Sequence, residues 1–125
     1  MRKIKDTLLI IALLAAVGIP SLPAKAQAEI IITFQGQVNF LRVHDVGTGF
    51  GPPNDMLDAE VIFSVSSTPN QFFGFQLRNN ENGAAHQAMF DLLRDAFLND
   101  LPVAFDAVIE PGKTNAPVIR IWVSR

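Results

Sequence analysis

Six side chains in this chain have the types and placement to meet a ligand, and none of them suggests bond-making chemistry. Phe50, Asn54 and Asp55 fall in one Gly- and Pro-rich stretch, Lys113 and Asn115 in another, and Trp122 lies near the C-terminal end. A ring between two glycines can meet a sugar face or a protein surface, and the amide, carboxylate and ammonium groups can hydrogen-bond to it. Trp122, next to polar Arg120 and Ser124, reads as a contact anchor. The same stretches also fit ordinary turn chemistry, since Gly, Pro, Asn and Asp are the residues that turns demand.

Catalytic and metal readings are weaker. There is no cysteine to act as a nucleophile, and no serine sits in a G-x-S-x-G elbow. Asp45, Asp55 and Asp58 offer acid–base pairs, with nothing in the pattern to split their pKa values. His44 and His86 stand far apart with no second ligand at metal spacing. In the acidic run Asp55, Asp58, Glu60, apolar Leu57 and Ala59 interrupt the oxygens a cation would need. The expectation is a protein without catalytic residues, metal or cofactor.

Residues 1–28 read as a secretory signal peptide. Arg2, Lys3 and Lys5 precede an apolar and small-residue run from Leu8 to Ile19, then come Pro20, Pro23 and the A-x-A pattern Ala26-Gln27-Ala28. The run is shorter than the roughly 18 residues that span a bilayer. A secreted or periplasmic protein is expected, not inserted in the membrane after cleavage. The remaining 97 residues, 29–125, suit one domain. They carry six Lys and Arg against eleven Asp and Glu, a net charge of −5. The six cations are scattered singly, so nucleic acid is not an expected partner. Without cysteine there is no disulfide, and stability must come from the core or from self-association into a homo-oligomer.

The elements that must position the candidate residues follow from periodicity. Glu29–Val43 reads as a long strand, with Gly36 marking a bulge or bend. His44–Met56 is a loop. Leu57–Ser66 is a second strand, with Ala59, Val61, Phe63 and Val65 on one face. After the turn Ser67–Asn70, Gln71–Leu77 is a third, with Gly74 opposite its phenylalanines, where something packs close to the backbone. Ala84–Asn99 is an amphipathic helix with Asn82 as N-cap and a stripe centred on Met89, Leu93 and Phe97. Val103–Ile109 is a fourth strand, Glu110–Pro117 a loop, and Val118–Ser124 a fifth strand, with Ile119, Ile121 and Val123 expected inward.

Five strands are too few for a sandwich. A mainly β chain with one helix between strands three and four fits a small OB-fold-like barrel, the helix plugging one end. The segment Met89–Phe97 followed by Leu101-Pro102-Val103 resembles a helix-to-strand segment of small exported bacterial OB-fold proteins. Over about Phe72 to Val123 the layout is also similar to the B subunits of bacterial five-subunit-ring toxins. The small periplasmic stress-related OB-fold proteins are closer in size, but usually lack a long helix with this pattern. The resemblance implies an exported binding module that takes a glycan or protein ligand on the two loops. Its alternative is an assembly protein that forms a homo-oligomeric ring, with Trp122 and the barrel edges at the interface. The exported protein is expected to begin at Glu29, which intact-mass measurement checks; a species retaining Leu8–Ile19 would be an anchored form.

Overall fold

The computed structural model describes residues 29–125 together with Gly18 and Pro20. The expected signal peptide and its cleavage after Ala28 otherwise lie outside the described residues. Strands β1 (Ile30–Val43), β2 (Val61–Val65) and β3 (Phe73–Phe75) are followed by helix α1 (Gly83–Leu98), then β4 (Pro102–Ile109) and β5 (Ala116–Trp122). They close into a barrel in the order β1-β2-β3-β5-β4. All neighbours are antiparallel except β3 and β5, which close the barrel through two parallel pairs, Phe73–Ala116 and Gly74–Pro117. This is an OB-fold-like barrel with its helix between β3 and β4. No helix among the described residues is long and apolar enough to cross a membrane.

The interior is built from alternate residues. Val61, Phe63 and Val65, Phe73 and Phe75, and Val103, Phe105 and Ala107 are all buried, as strand alternation requires. Four strands contribute phenylalanines to the interior. The rings of Phe34, Phe63, Phe73 and Phe105 pack with centroids 4.6 Å (Phe73–Phe105) to 5.8 Å (Phe63–Phe73) apart. The fifth strand fills the remaining space with small Ala116 and Val118.

β1 serves two sheets. It pairs with β4 through Gln37 and with β2 from Val38 onward. Gly36 sits at the changeover because a methyl group there would lie 3.0 Å from Ser67 Oγ and 3.2 Å from Val65 Cβ. The bulge itself falls later, between Val38 and Phe40, not at Gly36. The expected close approach at Gly74 is present, since a Cβ would lie 2.7 Å from the Val61 carbonyl oxygen.

Several expectations are corrected. β2 is regular only from Val61, because Leu57 instead forms an isolated bridge with Phe50. Every residue of β2 is buried, including Ile62 and Ser64 on the face expected outward. Asn82 makes no side-chain cap; it has helical dihedrals and its carbonyl accepts from His86 N–H. The helix ends as Asp100 turns to φ +51°, and Leu101 N–H reaches the Ala96 carbonyl. The buried helix positions are Leu93 and Ala96, flanked by half-buried Met89 and Phe90. Phe97 lies off this stripe and is exposed.

β5 departs most. It begins at Ala116, and its register against β4 slips between Asp106 and Ala107. Arg120 faces Asp106 and Val118 faces Ala107, so Ile119 is the extra residue. Alternation restarts across the bulge. Val118 points in, Ile121 is half-buried, and Ile119 and Val123 are exposed rather than inward. Leu93→Ala is expected to cost about 2–5 kcal/mol of stability and Phe97→Ala under about 1 kcal/mol, read as urea midpoints.

Candidate functional site

The β1–β2 and β4–β5 loops are fastened together. The Asp55 carboxylate accepts the backbone N–H groups of Thr114 (3.1 Å) and Asn115 (2.9 Å). In return the Asn115 amide donates to the Asp55 carbonyl at 2.8 Å. Two of the predicted binding residues are thus each other's partners. Gly51 is demanded at their crossing: its φ is +100°, and a Cβ would lie 2.6 Å from Asn115 Nδ2. Lys113, on the same loop, pairs with Glu110 at 2.9 Å. That hydrogen bond raises the Lys113 pKa further, so the ammonium stays charged.

Phe50 does not stand out from its loop. Its ring packs 5.0 Å from Phe72, and the Arg42 guanidinium lies 4.9 Å over it. With Leu57, Ala59, Ile62 and Phe72 it forms a second small core. These side chains cover the outer face of β2 at Ile62. Asn54 is exposed beside Asp55. Trp122 is 36% exposed and lies outward as expected, but opposite Ala104 at the far end of β5, away from both loops.

What the loops frame instead is a cleft of about 370 Å³ beside the short β3–β5 seam. Buried Leu57, Ala59, Phe75 and Val118 line it, and the exposed Met56 and Ile119 side chains also border it. Asp58, Gln76, Glu110, Lys113 and Asn115 add polar groups. His86 enters from the helix, its ring 5.7 Å from that of Phe75 and its buried Nδ1 without a hydrogen-bond partner.

The acidic run does not converge. Asp55 holds the loop clasp, while Asp58 and Glu60 grip Arg78. Arg78 donates from Nε to Glu60 Oε1 at 2.8 Å and from Nη2 to Glu60 Oε2 at 3.0 Å, and also reaches Asp58. Glu60 Oε1 accepts the Leu77 N–H at 3.2 Å as well. Glu60 is 2% exposed, so its charge needs these partners. The bonds to Glu60, then Asp58, raise the Arg78 pKa still further, and the guanidinium is a permanent cation. Among the described residues no three His, Asp or Glu side chains gather as a metal site.

Met56, Gln76 and Ile119 line the cleft without any mark in the sequence as site residues. Gln76 sits in an alternation that offered no sign of a neighbouring groove. Alternation along β5 places Ile119 inward, and only the bulge turns it out. No family model, curated protein or solved structure matches this chain.

The clasp generates a prediction. Asp55→Ala is expected to speed amide hydrogen exchange at Thr114 and Asn115 by about tenfold or more, as two N–H groups lose their acceptor. The exchange rate of Phe105 should stay unchanged.

Proposed function

We propose that this domain is an exported, non-catalytic binding module whose cleft takes an apolar side chain from a segment of another protein. The observation that carries this reading is the cleft itself, held between two loops that are already hydrogen-bonded to each other. Its volume falls in the range of small-ligand sites, and an apolar lining with a few polar groups is the usual composition. Preorganised loops lower the ordering cost of binding. Met56 and Ile119 border it as exposed apolar groups, whereas the aromatic faces a sugar would stack on, Phe50 and Trp122, lie elsewhere. A protein segment is therefore favoured over a glycan. The charged groups of the cleft are already paired, Glu110 with Lys113 and Asp58 with Arg78. That favours recognition over proton transfer. Export rests on the sequence of residues 1–28.

A random peptide display library and a glycan array, both applied to residues 29–125, test the reading. Selected peptides should share one large apolar residue. Met56→Glu and Ile119→Glu should each weaken the best peptide at least tenfold by calorimetry, about 1.4 kcal/mol, with unchanged melting temperature. Trp122→Ser should leave affinity unchanged. Binding of glycans alone, or peptide affinity that survives both cleft substitutions, would overturn it.

A further inference from the structure

Among the described residues, the first half of β1 has an open edge. Residues 30–37 pair with β4 on one side, and β2 begins to pair on the other side only at Val38. The Gln37 carbonyl accepts Ser66 N–H at 2.8 Å and the Gln35 carbonyl accepts Ser67 Oγ at 2.6 Å. Both belong to the edge turned away from β4. Backbone groups alternate along a strand, so those of Ile31 and Thr33 face the same edge. Among the described residues they have no backbone partner there.

This edge lacks the usual protection. Exposed edge strands are normally blunted by charge, proline or a bulge. Ile30, Ile31 and Ile32 are instead 51%, 49% and 42% exposed, on both faces of the strand, and residues 30–34 hold no charge or proline. On the outer face the apolar surface continues through Val108, opposite Ile31, towards the exposed bulge residue Ile119.

We infer that the edge of β1 at Ile30–Phe34 is a homodimer interface, filled by the same strand of a second copy in antiparallel pairing. An antiparallel strand edge is complementary to itself under a two-fold axis. Placing the axis at Ile32 sets Ile31 opposite Thr33 of the second copy, so that the free N–H and C=O groups of both satisfy each other. The same register sets Ile30 opposite Phe34 and Glu29 opposite Gln35, so apolar meets apolar and no like charges face. That matters for a domain of net charge −5, whose copies repel over most other approaches. Ile30–Phe34 contribute no residue to the cleft. It is smaller than the roughly 800 Å² per partner of a standard interface, so the dimer forms by mass action.

Sedimentation velocity on residues 29–125 from about 10 μM to about 1 mM tests this, with hydrogen exchange read at both ends. Dimer should accumulate with concentration, and the amides of Ile31 and Thr33 should become protected as it does. Ile31→Pro removes one edge donor without touching the β4 ladder, and Ile32→Lys places two ammonium groups together at the axis. Each should raise the dimer dissociation constant at least tenfold while melting temperature and circular dichroism match the wild-type monomer. A wild-type protein monomeric throughout overturns the inference, whatever peptide it takes up. So does a dimer that leaves Ile31 and Thr33 unprotected, a test that needs no variant to fold. A dimer abolished by Trp122→Ser but not by the β1 substitutions would place the interface on β5 and overturn it equally.

Discussion

The centre of the barrel is a cluster of four phenylalanine rings, Phe34, Phe63, Phe73 and Phe105, from β1, β2, β3 and β4, and each strand must sit where its ring meets those of Phe73 and Phe105. Phe105 touches Phe34, Phe63 and Phe73, with centroids 5.6, 5.0 and 4.6 Å away. A closed five-stranded sheet has a narrow lumen, and flat rings in stacked, tilted and edge-on contact pack it. With these rings inside, β5 buries fully only the small side chains of Ala116 and Val118, with Ile121 packed partly against the core. It therefore lies close to β3, and the barrel closes through two parallel pairs. That short seam leaves the space beside it open, and there the cleft forms. Packing inside the barrel and the opening outside it are two results of the same crowding.

The outer surface is organised by charge and by a second core. Glu60, immediately before β2, is buried because Arg78 folds over it with the aid of Asp58. Phe50 and Phe72 cover the neighbouring stretch beside Ile62. Together they make β2 a fully covered strand in a small domain. A ligand cannot use that face without displacing them, and the accessible groove lies towards β5. The Asp55–Asn115 clasp holds its two loops at fixed separation. It turns residues that look like ligand contacts in the sequence into the frame of the site.

Much of the architecture was written in local pattern. Alternation over Val61–Val65 and Val103–Ala107 identifies strands and their inward residues, because the side-chain period of two is a property of each strand alone. The three- and four-residue spacing through Leu93 and Ala96 identifies the helix, and Pro102 marks the strand that follows it. The order of these elements was enough to give a five-stranded barrel with a helix after the third strand. The absence of cysteine and the apolar run near the N-terminus likewise needed no structure.

Tertiary structure decided whatever depends on a partner distant in sequence. Ile119, Ile121 and Val123 share a face by alternation, but pairing with β4 inserts a bulge that pushes Ile119 outward, and only the neighbouring strand can impose it. Phe97 belongs to the apolar stripe of the helix by its spacing, yet docking on the barrel buries Leu93 and Ala96 and leaves Phe97 exposed. Asp55 and Asn115, 60 residues apart, carry no mark in the sequence that one binds the other. Periodicity is a local property of the chain, while bulges, docking angle and loop-to-loop bonds are set by closure of the barrel.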